Sequence, residues 1–274
     1  MGRITERFAA LKKEGRAGLI IYISAGDPDL ATSARIFESL PGAGADLIEL
    51  GVPFTDPMAD GPSVQAAGQR ALKQGIKMRD VLAMVAQFRA RDARTPVLLM
   101  GYYNLIYSYG PGKFCRDAAA AGVDGLITVD LPPEEAHELH PHAKASGIDL
   151  VMLAAPTTDA ARLPAVLKYC SGFLYFVSVL GVTGTRSAAE GVVRAAYDRF
   201  RKLTDLPVGV GFGIKTPAQA AEVAKVAEAA VVGSAIVDRV RDNLDANGKA
   251  KPGLVESVLA LVGELAAGVR GARR

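Results

Sequence analysis

Cysteine, histidine and tryptophan are scarce in this chain, with two, three and none among 274 residues. Cys115 and Cys170 stand singly in helical stretches with no CxxC spacing, which excludes a disulfide framework and leaves each as a small core or surface residue. Aromatic residues make up 6% of the sequence, too few for a platform on which nucleic-acid bases stack. Neither sign of charge dominates. The 32 basic residues are interspersed with 29 acidic ones, so no polybasic stripe offers itself to a phosphate backbone. No apolar run reaches the roughly 18 residues needed to span a bilayer. The segment from Met1 to Ala10 reads as an amphipathic helix carrying both charges. These absences point to a soluble, cytoplasmic protein with neither nucleic acid nor membrane as a partner.

Apolar sequence is plentiful and comes in short bursts. Hydrophobic residues are 50% of the chain, and its length lies near the roughly 250 residues of a closed α/β barrel. β-Branched and leucine-rich runs fall at 19–23, 47–50, 97–100, 125–129, 150–153, 173–177, 208–210 and 229–232. Each is continuous rather than alternating in polarity, as expected of parallel strands covered on both faces. Helical patterns lie between them near 30–42, 62–92, 113–121, 133–145, 160–169, 188–202, 217–226 and 235–241, with another over 253–268. Ser187-Ala-Ala-Glu190 has capping-box spacing, and Thr216-Pro217 supplies an N-cap followed by proline at the first helical position. Eight strand–helix alternations predict a single domain over 1–274, a TIM (β/α)8 barrel with additional N-terminal and C-terminal helices. A doubly wound sheet would rarely carry eight strands with so few antiparallel signals.

Chemistry in such a barrel sits at the C-terminal ends of the strands. The residues that follow the runs are Ser24-Ala-Gly-Asp27, Glu49 to Asp56, Gly101-Tyr-Tyr-Asn104, Asp130-Leu-Pro132, Ala154-Ala-Pro156, Ser178 to Gly184, Gly211-Phe-Gly213 and Gly233-Ser234. No lysine and no histidine stands among them, although a Schiff-base aldolase needs a strand lysine and a zinc aldolase needs converging histidines. His137, His140 and His142 fall together on the fourth helical pattern and just past it. His137 and His140 could share a face, but Pro141 interrupts the periodicity and no further ligand is evident, which favours a solvated face. The expected site holds no metal.

Glu49 lies inside the apolar run Leu47-Ile-Glu-Leu50, and a proline-studded acidic loop follows, ending in Asp60-Gly61. An ionised carboxylate moved into an apolar interior loses on the order of several kcal/mol unless it pairs or takes up a proton. A buried Glu49 therefore has a raised pKa suited to general acid and base work; the alternative is a strand-end side chain that reaches solvent or a basic neighbour. Glycines form a second constellation. Gly181-Val-Thr-Gly184, Gly211-Phe-Gly213 and Gly233-Ser234 leave backbone N–H groups unobstructed, and the last pair opens into a helix whose dipole favours an anion. This fits the phosphate site that many TIM barrels build after strands seven and eight, although tight turns alone would also use glycine. A dinucleotide reading of Gly209-Val-Gly211-Phe-Gly213 lacks an acidic ribose ligand, because the next strand ends in Gly233-Ser234.

The segment Glu49-Leu-Gly-Val-Pro-Phe-Thr-Asp-Pro-Met-Ala-Asp60-Gly-Pro62 is long and specific. Taken with Ala25-Gly-Asp-Pro28, Gly101-Tyr-Tyr-Asn104, Val129-Asp-Leu-Pro132, Gly181-Val-Thr-Gly184 and Gly211-Phe-Gly213, it resembles the tryptophan synthase alpha chain family over nearly the whole sequence. The resemblance implies retro-aldol cleavage of indole-3-glycerol phosphate to indole and glyceraldehyde 3-phosphate, with indole passed to a beta chain in an alpha2beta2 assembly. It implies no cofactor here, pyridoxal phosphate being expected only on the beta chain. It makes Glu49 the general acid at indole C3 and then the base toward the glycerol hydroxyl, and Asp60 the carboxylate on the indole N–H. Tyr22, Met100, Ile127, Tyr175, Thr183 and Phe212 match substrate positions, with Tyr22 and Met100 standing where enteric enzymes have Phe and Leu. Thr183 matches a loop residue that reaches Asp60 when the site closes. Gly184, Gly213, Gly233 and Ser234 match the phosphate cradle. Pro53, Phe54, Asp56, Pro57, Asn104, Asp130 and Pro132 match positions that contact or signal to the beta chain. Two rival functions remain: a stand-alone indole-3-glycerol phosphate lyase, and a non-catalytic allosteric subunit, against which the intact Glu49 and Asp60 argue. A general phosphosugar isomerase would leave the acidic loop after the second strand unexplained.

Overall fold

The computed structural model of the chain describes residues 2–178, 186–211 and 213–273. Nine parallel strands make one sheet: β1 (Gly18–Ser24), β2 (Leu47–Gly51), β3 (Val97–Gly101), β4 (Gly125–Thr128), β5 (Asp149–Leu150), β6 (Leu153–Ala154), β7 (Leu174–Val177), β8 (Val208–Gly211) and β9 (Ala229–Val232). The order β5-β4-β3-β2-β1-β9-β8-β7-β6 begins and ends within one short segment, 149–154. There the Val151 N–H donates to the Leu126 carbonyl at 2.9 Å, and the Met152 carbonyl accepts from the Tyr175 N–H at 3.0 Å. The segment thus joins both edges and closes a TIM-type barrel. The fifth expected strand is present but divided, its first half paired with β4 and its second with β7.

The continuous apolar runs resolve into two faces. Leu19, Ile21, Ile48, Leu50, Val97 and Leu99 point outward into the layer between sheet and helices. Ile20, Leu47, Leu98, Ile127 and Phe173 point inward. Both faces are apolar because helices cover one and the barrel fills the other.

The helices depart from the sequence expectation in three places. The stretch 62–92 is two helices, Pro62–Lys73 and Met78–Arg91, separated at Gly75, whose φ of 77° a helix interior cannot hold. A short helix at Tyr103–Tyr109 precedes Pro111–Ala121. The pattern at 133–145 shrinks to a turn at Ala136–Glu138 and the helix His140–Ala145, with Pro141 in its first turn. The others keep their places: Leu30–Ala43, Leu163–Tyr169, Arg186–Arg201, Pro217–Val226, Ser234–Asp242 and Leu254–Gly271. Thr216 caps its helix as expected, its hydroxyl accepting from the Gln219 N–H at 3.2 Å. Ser187 instead lies within the first turn of Arg186–Arg201. Among the described residues no helix is long and apolar enough to cross a membrane.

The additional N-terminal helix, Arg3–Lys13, closes the end of the barrel opposite the strand C-termini. Ile4, Phe8 and Leu11 join the inner cluster, and the Phe8 and Phe173 rings lie 5.7 Å apart. Carboxylates at the strand entries hold this helix in place. Asp46 accepts from Arg7, from Arg16 at 2.9 Å and from the Leu19 N–H at 2.8 Å, and Asp124 accepts from Arg3 at 2.8 Å and Arg89 at 2.9 Å. Burial alone would raise the Asp46 pKa, but the hydrogen bonds from Arg16, Arg7 and Leu19 hold it below the usual carboxylate range. Phe8→Ala is expected to cost ~3–5 kcal/mol of stability in urea unfolding. The cavity described next should keep its shape, because the plug lies at the far end of the barrel from it.

Candidate active site

The inner residues one step further along the strands leave the apolar plug and line a cavity of about 390 Å³ at the C-terminal mouth. Tyr22 of β1 and Glu49 of β2 are register partners there, and Met100, Tyr175, Val177 and Val231 face the same space. The loop after β2 contributes Ala59 to Val64, including Asp60. The opposite edge is formed by Gly213-Ile-Lys215 after β8 and Gly233-Ser234 after β9.

Glu49 is 1% exposed, and its Oε1 has no hydrogen-bond partner among the described residues. Among the described residues no basic side chain offsets its burial, which pushes its pKa up to about 8. The carboxyl holds a proton at neutral pH, and ionisation is still within reach. Asp60, at the rim, is raised by burial and drawn back by a hydrogen bond from Tyr102. Two carboxyls in one cavity thus have different surroundings, an arrangement that assigns acid and charge-stabilising roles to separate side chains. The Tyr22 phenol is raised far above its ordinary value by burial and by the Asp60 charge, and that of Tyr175 by burial and by Glu49. Both remain neutral hydroxyls beside the acid. Close packing dictates Gly51 and Gly211, because a Cβ on either would fall 2.1 Å from the Tyr22 hydroxyl or 2.4 Å from the Tyr175 hydroxyl.

The cavity therefore brings together Glu49, Asp60, Tyr22, Met100, Tyr175, Gly213, Gly233 and Ser234. Ile127 lies 1% exposed in the inner cluster with Met100 and is not among the lining residues. Thr183, Gly184 and Phe212 lie outside the described residues. Several lining or supporting residues are not expected from the sequence, and two of them matter for charge and loop position. Lys215 follows β8 by four positions, beyond the strand-end residues in which no lysine was found. It is exposed, whereas a Schiff-base lysine is activated by desolvation. Tyr102 is the other. Its hydroxyl accepts from the Ala59 N–H at 2.9 Å, and its ring stacks on Phe54 with centroids 5.0 Å apart.

That stack ties the backbone of the loop carrying Asp60 to the outer surface of the mouth. Pro53, Phe54 and Pro57 are half-buried, while Asp56, Asn104, Asp130 and Pro132 are exposed. Asp130 accepts from the Tyr103 N–H at 2.7 Å, which joins the loop after β4 to the helix after β3. Met58, 77% exposed, and Tyr107, 65% exposed, are large hydrophobic side chains at the surface. None of the three histidines lines the cavity. One group among the described residues could hold a cation, the exposed Glu135, His137 and Glu138, and Glu138 already accepts from the Tyr103 hydroxyl at 2.9 Å.

Comparison with known proteins agrees over the whole chain. The model of the family described as tryptophan synthase alpha chain matches residues 8–269. A tryptophan synthase alpha chain of Gluconacetobacter diazotrophicus is 55% identical over 273 residues, covering 100% of both chains. Another, of Acidiphilium cryptum, is 55% identical over 274 residues, covering 100% of this chain and 99% of that one. The solved structure of tryptophan synthase subunit alpha from Legionella pneumophila superposes with a TM-score of 0.91 at 39% identity, covering 99% of each chain.

Proposed function

Because the chain belongs to the tryptophan synthase alpha chain family, we propose that Glu49 and Asp60 carry the proton chemistry of its reaction. The protein is a lyase of tryptophan biosynthesis that cleaves indole-3-glycerol phosphate to indole and glyceraldehyde 3-phosphate. The observation that carries the residue assignment is a buried carboxyl, its Oε1 without a hydrogen-bond partner among the described residues, on the wall of a cavity large enough for the substrate. Glu49 gives its proton to indole C3, which makes C2 and the ring nitrogen an iminium. Glu49, now a carboxylate, takes the proton of the hydroxyl on the adjacent glycerol carbon. The C–O bond becomes a carbonyl, the bond from that carbon to C3 breaks, and its electron pair restores the C2–C3 double bond and neutralises the nitrogen. The proton balance closes on Glu49, so the step calls for neither a metal nor a Schiff base. Asp60 accepts the indole N–H and stabilises the positive charge that grows there. Tyr22, Met100 and Phe212 shape the indole pocket with Ile127 packed behind Met100, Tyr175 stands beside Glu49, and Thr183 reaches Asp60 when the site closes. The glycine edge, Gly184, Gly213, Gly233 and Ser234, takes the phosphate.

Family membership implies a beta chain as partner. We assign the Pro53–Pro57 loop, Asn104, Asp130 and Pro132 to its interface, in an alpha2beta2 assembly of cytoplasmic protein, with the chain acting as one unit over 1–274 and pyridoxal phosphate residing on the beta chain alone. Steady-state indole release by the purified chain, with and without a beta chain, tests this reading. Activity that rises on adding the partner supports it. Full turnover without the partner would transfer the assignment to a stand-alone lyase, and none in either condition would leave a non-catalytic subunit.

A further inference from the structure

The cavity is short of positive charge. Its described lining includes two carboxyls, Glu49 and Asp60, and one basic residue, Lys215. A phosphate monoester carries close to two negative charges at neutral pH, and an ionised Asp60 in the same cavity repels it. Backbone N–H groups offset that repulsion only where they are free.

Two helix N-termini face the glycine edge, and they differ in this respect. At Pro217–Val226 the Lys215 and Thr216 N–H groups both donate to Gln219 Oε1, at 2.8 and 3.1 Å, the Gln219 N–H donates to the Thr216 hydroxyl, and Pro217 has no N–H. Its own capping box has engaged this N-terminus. At Ser234–Asp242 no side chain caps the helix, so the Ser234 and Ala235 N–H groups, ahead of the Ile236 N–H that turns back to the Gly233 carbonyl at 2.8 Å, are left for a ligand. Among the described lining residues, the β8 side of the edge therefore offers an anion the Gly213 neighbourhood and the Lys215 side chain. Lys215 is built for that task. Its backbone is pinned by the Gln219 contact, the preceding Ile214 is 2% exposed in the core, and its own side chain is exposed. No ion pair with the described residues neutralises it.

We propose that the ε-ammonium of Lys215 is a phosphate-binding group, supplying the charge that holds the phosphorylated end of the substrate between Gly213 and Ser234 without touching the carbon chemistry. The inference rests on the cleavage reaction proposed above and adds to it a determinant of affinity for the anionic substrate.

Lys215→Ala, Lys215→Arg and Lys215→Glu test it in the chain assembled with its beta partner. In the Ala variant KM for indole-3-glycerol phosphate and Ki for inorganic phosphate should both rise roughly tenfold, the effect of one partly exposed charged hydrogen bond. The Ki for indole, which is uncharged, and kcat should stay within about twofold, and Arg should restore most of the loss while Glu deepens it. The increase of KM with ionic strength should flatten in the Ala variant, since the interaction being screened is gone. Unchanged phosphate Ki in the Ala variant overturns the proposal, as does an equal loss of affinity for indole and phosphate. Calorimetric titration of inorganic phosphate into wild type and Ala variant reads the same difference without catalysis. A failure of the reaction assignment and a failure of the Lys215 assignment are thereby kept apart.

Discussion

Glu49→Gln is expected to lower indole release by roughly 10³-fold, within the range that a positioned general acid and base supplies, and to make the protein more stable at alkaline pH. The two effects have one cause. The folded chain holds the Glu49 carboxyl in an apolar wall with its pKa at about 8, against an ordinary value of 4.5. Between those two pH values the unfolded chain has lost this proton and the folded chain keeps it, so the folded state binds more protons. Stability conferred through this group therefore falls as pH rises from 4.5 through 8, and the full loss is present above 8. Glutamine cannot ionise and escapes that loss. At 1.36 kcal/mol per pH unit the difference amounts to several kcal/mol as an upper bound, part of which local relaxation removes. Urea unfolding of wild type and variant across pH 5 to 9 reads it: the curves should diverge as pH rises, with the variant above. Parallel curves would mean that Glu49 is solvated in solution, and undiminished turnover in the variant would sink its catalytic role.

A residue that costs stability where it sits is the kind of residue that a sequence reveals. Glu49 stands out because it interrupts an apolar run, whereas its place beside Tyr22 is set by the sheet register, which the sequence does not display. The barrel was legible for the same reason, since parallel strands covered on both faces read as uninterrupted apolar bursts. What was not legible depends on backbone conformation or on distance through space. The division of 62–92 rests on one glycine with positive φ, and an isolated glycine in a helical pattern is tolerated too often to read as a break. The split of the fifth strand follows from closing the ring, which no local pattern encodes. Tyr102 belongs to the strand-end segment Gly101-Tyr-Tyr-Asn104, but only the fold brings its hydroxyl to the Ala59 N–H and its ring to Phe54, far from it in sequence. Lys215 lies two residues beyond Gly211-Phe-Gly213, outside the strand-end residues that a barrel singles out, yet it lines the cavity with its backbone held by Gln219. The signal that could have found it was Thr216-Pro217 itself, because a helix cap fixes the residue before it.

Asp60→Asn should separate the two charges of the cavity from each other. Asparagine keeps the shape and an acceptor for the indole N–H but removes the negative charge that steadies the iminium, so kcat is expected to fall about 10²–10³-fold, the loss typical of one aimed electrostatic group. Asp60 is raised by burial and restrained by Tyr102, and Tyr102 also holds the neighbouring Ala59 N–H. The loop backbone thus keeps its anchor in the variant, and the change is one of charge rather than position. The effect on anion binding has the opposite sign. An ionised Asp60 repels the phosphate across the cavity, so its removal should lower the Ki for inorganic phosphate, by about twofold to fivefold at low salt and by less as salt screens the pair. Slower chemistry with tighter phosphate is a signature that neither misfolding nor a displaced loop produces, since both would weaken ligand and rate together. In the double variant Asp60→Asn, Lys215→Ala the phosphate affinities should combine nearly additively, because the two charges act on the ligand from opposite edges rather than on each other. A variant of Asp60 that lost phosphate affinity would show the opposite arrangement, with the carboxylate propping the glycine edge in place instead of facing the indole ring.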